Sequence, residues 1–265
     1  MKVKNLLLLP LLSIFISCGS DYDDNLDSNS FSLSLVNGNY WVYNVQSDVN
    51  QTRDSLYIAN DTVINAKTYK KFKTKNLPTG FYSSSLNNNG VTYNNGRMFL
   101  TGSLNLASNQ NLPIDLDLSV SDLVIFNKDA VNNQPLNAAP VTGDIQEIFQ
   151  GVPVDIHYEL NTFGGGTLAS FTKPDDNEIY NNVKITRVTL NLTISATYSG
   201  VTFPNILTDS KVLESNLYIA EGIGMIYSNT DITVNLNSLV ASALNIPASS
   251  SQNQQEFLET YMVIN

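Results

Sequence analysis

The sequence predicts an all-β protein, mostly antiparallel, with at most one or two short helices. Two observations carry that expectation. Apolar and polar residues alternate with a period of two over long stretches, and Asn-Gly, Gly-Gly and Ser-Gly pairs punctuate them. Helical patterning is scarce: only SLVASAL near residue 240 and QNQQEFLE near 255 suit short helices.

In chain order, YWVYNV (40–45) puts Trp41 and Tyr43 on one face and Tyr40 on the other, so core packing is the expected use of Trp41. SLYIA (55–59), TYKKFKT (68–74), GVTYN (90–94) and RMFLTG (97–102) follow as short strands. Asn95-Gly96, between the last two, suits a type I′ hairpin turn, because both central residues need positive φ. PIDLDLSV (113–120) turns Ile114, Leu116, Leu118 and Val120 inward, and DLVIF (122–126) continues the pattern. VPVDIHYEL (152–160) faces Val152, Val154, Ile156, Tyr158 and Leu160 one way. VTLNLTISATY (188–198) alternates over eleven positions and is the clearest half-buried strand. NLYIA (216–220), GMIYS (224–228), DITVNL (231–236) and TYMVIN (260–265) complete the set. Between strands, NKDAVNNQPLNAAPVTG (127–143) holds two prolines and little apolar pattern, as a linker between lobes or a long loop would. A single β-rich domain over 31–265 is the favoured division.

The first seventeen residues, MKVKNLLLLPLLSIFIS, have the anatomy of a secretory signal peptide. Lys2 and Lys4 precede an apolar run from Leu6 to Ile16 that is too short to span a bilayer comfortably. Ser17-Cys18-Gly19 follows and resembles a bacterial lipobox, although Phe15 departs from the usual aliphatic residue. That resemblance implies cleavage before Cys18, its modification with two or three acyl chains such as palmitate, and a membrane anchor. With Cys18 acylated no thiol remains, which excludes disulfides and cysteine zinc sites. Residues 18–30 then read as a flexible acidic tether. Asp21, Asp23, Asn25 and Asp27 alternate as calcium-loop ligands do, but Leu26 stands where that loop needs Gly and Ser32 where it needs Glu.

Charge narrows the partners. Without the two leader lysines, twelve basic residues face twenty-four acidic ones. That excess argues against nucleic acid or an anionic membrane surface as the main partner.

Candidate chemistry is thin. His157 is the sole histidine and shares an outward strand face with Asp155 and Glu159; a polar solvent-facing strip is preferred over a cation site. Asp115 and Asp117 form a second outward pair, and Gly164-Gly165-Gly166 lacks the Lys-Ser/Thr of a phosphate loop. Lys67, Lys71, Lys73 and Lys75 share a face with Tyr69. They suit either an anion-binding patch or, preferred here, a strand guarded by lysines against pairing. No catalytic motif stands in a supporting context, so no catalytic residue, metal or cofactor is expected.

The motifs NGNYWVYNV, RDSLYIANDTVINAKTYKKFK and LYIAEGIGMIYS resemble a loosely defined group of Bacteroidota lipoproteins. Gly38, Tyr40, Trp41, Tyr43, Asp61, Thr62, Ile64, Asn65, Tyr69, Lys71, Gly222, Ile223 and Gly224 match, while Ala66 replaces a turn glycine. The resemblance implies an antiparallel sheet curved into a half-barrel or open barrel, and no established activity. Asp54-Ser55-Leu56 and Asp61-Thr62-Val63 resemble the O-glycosylation sequence of such exported proteins, with Ser55 and Thr62 as acceptors. The acids after Cys18, namely Asp21, Asp23 and Asp24, resemble the signal that sends these lipoproteins to the outer face of the outer membrane; the periplasmic face is the alternative. The expected function is a non-catalytic binding or accessory module for glycan, lipid or an envelope protein. The alternatives are a structural, adhesin-like surface protein and an acid-dependent hydrolase such as a glycosidase.

Overall fold

The computed structural model describes residues 31–48, 50–106, 116–149, 151–198, 201–243 and 247–264. Phe31–Asn265 form one compact unit. Among the described residues the strands are β1 (Tyr40–Ser47), β2 (Gln51–Ile64), β3 (Lys67–Thr74), β4 (Gly90–Asn94), β5 (Arg97–Asn105), β6 (Asp117–Asn127), β7 (Val141–Phe149), β8 (Val152–Thr172), β9 (Ile179–Tyr198), β10 (Val201–Ala220), β11 (Gly224–Asn235) and β12 (Ser249–Met262). Two short helices are α1 (Phe81–Leu86) and α2 (Ser238–Ala243).

All twelve strands belong to one antiparallel sheet, ordered β6-β5-β4-β3-β2-β1-β12-β11-β10-β9-β8-β7. Strands neighbouring in sequence are therefore paired, except β6 and β7, which stand at the two ends of the order, and β1 pairs with β12 to join the two halves of the meander. The sheet curls until it is nearly closed, with one seam between its ends, as the all-β expectation of an open barrel requires. The β2–β3 hairpin turns at Asn65 and Ala66 with φ of 49° and 63°, so Ala66 bears the left-handed conformation that a turn glycine would otherwise take. Asn95 (φ 49°) and Gly96 (φ 74°) make the expected tight turn between β4 and β5.

Residues 127–143 do not separate lobes; they run along the seam. Within them Asn133 and Gln134 exchange backbone hydrogen bonds with Gly164, and the Leu136 N–H donates to Thr162 O. Asn137 completes the join. Its Oδ1 accepts the Val124 N–H of β6 at 3.0 Å, while its Nδ2 donates to Val124 O at 3.1 Å and to Thr162 Oγ1 at 2.8 Å. One side-chain amide thus supplies the donor and acceptor that a neighbouring strand would offer.

A departure from the expectation is QNQQEFLE. It is the centre of β12, not a helix. Gln and Glu favour helices, but the backbone here is paired on both sides, with β1 and with β11. The period of two is present as Gln254, Glu256 and Leu258, all buried; two of its inward members are polar, which hides it.

Those polar residues hold α1. The sequence FYSSSL has little helical propensity, and the turn forms because its amino end meets fixed acceptors. Asp54 Oδ2 accepts the Gly80 N–H at 2.8 Å, Gln254 Oε1 the Phe81 N–H at 2.8 Å, and Glu256 Oε1 the Tyr82 N–H at 2.6 Å. Phe81, Tyr82 and Leu86 of α1 share a small cavity with Leu100 and Leu104 of β5, Leu160 of β8, Val188 of β9 and Leu217 of β10. The helix is therefore enclosed by opposite walls of the curled sheet. The cavity measures about 30 Å³, room for one water molecule.

β8 and β9, the longest strands with β10, carry a hairpin tip that folds back over the sheet. Phe171 pairs in register with Tyr180, and Tyr218 with Ile185, which are five residues apart on β9 and so about 16 Å apart along a flat sheet. Yet the Phe171 ring lies 4.5 Å from Tyr218 and 5.7 Å from Tyr227, which in turn touches Phe257 at 5.2 Å. The bend is the bulge between Gly164 and Gly166, where Gly166 has φ of 89°. Lys173, buried at the tip, donates from Nζ to Leu258 O at 2.5 Å and pairs with Asp176 at 2.9 Å.

Candidate functional site

The β4–β5 turn, the end of β6 and the segment after it enclose an open groove of about 450 Å³. Register builds its floor. Arg97 at the start of β5 lies opposite Asn94 of β4 on one side and Asn127 of β6 on the other. Phe99, two residues along β5, points to the same outward face, since Met98 and Leu100 are buried inside the sheet. Asn95, Asp129 and Gln134 complete the lining.

Local hydrogen bonds orient the polar groups. Asn127 Oδ1 accepts the Asp129 N–H at 3.1 Å, and Gln134 Oε1 accepts the Val131 N–H at 3.0 Å. Both carbonyl ends are thereby turned toward the backbone, leaving the NH2 ends as the outward polar groups. Asp129 is engaged by Lys128 Nζ at 2.7 Å. Arg97 pairs with no carboxylate among the described residues, whereas Arg53 is gripped by both Glu259 oxygens at 2.7 and 2.9 Å. The third arginine, Arg187, donates to Asn133 and lies over the Phe163 ring.

A second cluster of titratable groups is enclosed. Glu256 Oε2 accepts the Ser83 hydroxyl at 3.2 Å, and Oε1 accepts the Ser228 hydroxyl at 3.2 Å. Burial, opposed by its hydrogen bonds and reinforced by nearby Asp54, pushes the Glu256 carboxyl up to about 7. Burial also raises Asp54, against hydrogen bonds from Gly80 and Thr79. These two acids hold backbone N–H groups, and their geometry is that of a support for α1 rather than of an acid pair facing a cleft.

The residues singled out in the sequence fall elsewhere. Cys18, Asp21, Asp23, Asp24 and Asp115 lie outside the described residues. Ser55 and Thr62 are half-buried within β2. Tyr69 is buried rather than sharing an exposed face with the lysines, and Lys67 and the Tyr69 hydroxyl both meet the Asp122 carboxylate. Those two donors hold Asp122 below the usual carboxylate range. Lys71 donates to Asn88 O, Lys73 is half-buried and Lys75 is exposed. His157 meets Asp144 at 2.8 Å, while Asp155 accepts from Gln146 and Glu159 from Asn161, so each member of that strip has a different partner. Among the described residues no three potential ligands converge as a metal site. Asp117 accepts the Ser103 hydroxyl. Trp41 is core: its Nε1 donates to Ile223 O at 2.7 Å and its ring stacks on Phe72.

The groove escapes sequence reasoning because Arg97 and Phe99 sit inside a run read only for its strand pattern. A charged and an aromatic residue two apart, just after an Asn-Gly turn, is the signal that was there to find. No protein-family model, curated protein or solved structure matches the chain.

Proposed function

We propose that this is a lipid-anchored surface protein whose domain is a binding module, and that the groove over β4, β5 and β6 takes an oligosaccharide. The carrying observation is the composition of the groove: outward amides, a guanidinium and the exposed side of an aromatic ring in an open space of about 450 Å³. Such a site falls in the size range of small-ligand pockets and offers hydrogen-bond donors for hydroxyls beside an apolar platform for a sugar ring. The cavity beside α1 favours this reading over an enclosed lipid, because it holds about one water. Binding is favoured over hydrolysis because the groove lining has one carboxylate, Asp129, already held by Lys128, where glycoside hydrolysis commonly uses two.

The anchor rests on the leader and on Cys18, and the outward address on Asp21, Asp23 and Asp24. A Cys18→Ser chain keeps every described residue and suits binding measurements. Titrated with a panel of neutral and acidic oligosaccharides, it is expected to bind at least one class, with Phe99→Ala abolishing that binding. Failure of every oligosaccharide to bind removes the reading.

A further inference from the structure

Three of the groove's lining groups, Arg97 and the amides of Asn127 and Gln134, present donors outward, and that bias specifies its ligand further. We infer that it selects a carboxylated sugar, a uronic acid, with Arg97 as the residue that reads the carboxylate; this rests on the oligosaccharide reading above. Three observations converge on it.

Acids outnumber bases twenty-four to fourteen in this chain, so a cationic side chain has carboxylates in excess to pair with. Arg53 is clamped bidentately by Glu259, and Lys67, Lys70, Lys128 and Lys211 each pair with an acid. Arg97 is exposed and, like Lys71, Lys73, Lys75, Lys184 and Arg187, forms no ion pair among the described residues; of these six it is the one that lines the groove. Its fork of donors is the geometry that matches a carboxylate through two parallel hydrogen bonds.

The groove's own acid does not compete for it. Asp129 is tied to Lys128, whose side chain lies over Gly96 at the turn. A negative ligand therefore meets an Asp129 already paired with Lys128 and an Arg97 with no carboxylate partner among the described residues.

The amides on either side are set for the same ligand. Asn127 and Gln134 have their oxygens occupied by backbone N–H groups, so what remains for a ligand is their NH2 ends. A cluster of donors with no free carboxylate acceptor suits an acceptor-rich group such as a uronate. The chain's overall negative charge opposes an anionic ligand only at long range. Beyond about 8 Å physiological salt screens it, whereas contact hydrogen bonds to Arg97 survive.

The test uses the Cys18→Ser chain, isothermal titration at physiological salt, and three trisaccharides of one backbone: trigalacturonate, its carboxyl-reduced galactose counterpart, and a sulfated form of that counterpart. Charge-assisted pairing predicts that trigalacturonate binds at least about ten-fold more tightly than the reduced sugar. Arg97→Gln, on the surface and with an unchanged circular dichroism spectrum, is expected to lower trigalacturonate binding to the level of the reduced sugar and leave the reduced sugar unaffected. Arg97→Lys is expected to restore part of the preference. Equal binding of the first two sugars, or a preference that survives in Arg97→Gln, overturns the uronate assignment while the oligosaccharide reading stands. Tighter binding of the sulfated form overturns the choice of carboxylate. Binding of none of the three here and of none in the wider panel overturns both.

Discussion

Asp54 on β2 and Glu256 on β12 grip neighbouring backbone N–H groups of one short turn, Gly80 at 2.8 Å and Tyr82 at 2.6 Å, with Gln254 holding Phe81 between them. Gly80 is required for this approach: a Cβ there would stand 2.1 Å from Glu256 Oε2. The turn therefore exists as a product of the sheet around it, and its stability is tied to the protonation of the acids that hold it.

A pH dependence follows. Glu256 is raised from 4.5 to about 7 in the fold, so the protonated form is the favoured one. Its contribution is fully present below about pH 4.5 and is lost as pH rises through about 7. The loss is at most roughly 3 kcal/mol. Asp122 and Glu214 are shifted downward, so their contributions fade only at lower pH, outside this window. Urea unfolding should show a higher midpoint at pH 5.5 than at pH 8. Glu256→Gln should flatten that difference. An unchanged slope in the variant would show that Glu256 is not the group responsible.

Asn137→Ala removes the amide that joins β6 to β8 and leaves the Val124 N–H and C=O without that partner. A loss of about 1–3 kcal/mol is expected. Hydrogen exchange should quicken at Val124 before it quickens in β1 or β12. Equal acceleration across the sheet would show that the seam opens only with global unfolding.

Lys173→Met keeps the length of the side chain but deletes its bond to Leu258 O and its pair with Asp176. Removing one partner of a buried pair destabilises by about 3–5 kcal/mol, less here because Asp176 is half-exposed. Limited proteolysis should then cut first between residues 166 and 185. Unaltered resistance of that hairpin would show that the Phe171 stack alone holds it down.

Lipidation is checked by metabolic labelling with a palmitate analogue. Cys18→Ser should abolish the label, and changing Asp21, Asp23 and Asp24 to Ala should retain the label while removing antibody staining of intact cells. Continued staining would sink the export address.

Most strands are legible in the sequence because their inward residues are apolar, as Leu190, Leu192 and Ile194 of β9 illustrate. Legibility ends where inward positions carry polar support. Gln254 and Glu256 disguise β12, and α1 has no helical signal because its cause lies on β2 and β12. β7 is missed because it pairs on one side only in the sheet order and buries little, with Ile148 exposed, so no hydrophobic alternation marks it. The hairpin beyond Gly164 is missed for a related reason: its apolar residues answer to Tyr218, Tyr227 and Phe257, on strands distant in sequence. Of the groove, the Asn-Gly turn is legible, but the pairing of Asn94, Arg97 and Asn127 depends on register across three strands.

The pairing of Trp41 with Tyr261 has a consequence for how the molecule comes into being. Among the described strands β1 is the first made, yet one of its two partners is the last. A chain emerging from its amino end can pair β1 with β2 at once, but the other side of β1 waits for the whole remainder. Closure is a late, long-range event, which places the protein among slow folders. During that interval β1 presents an open edge to other chains, and premature association would begin there. For a chain exported as proposed, the delay extends until β12 has crossed the membrane, so folding is completed only on the far side.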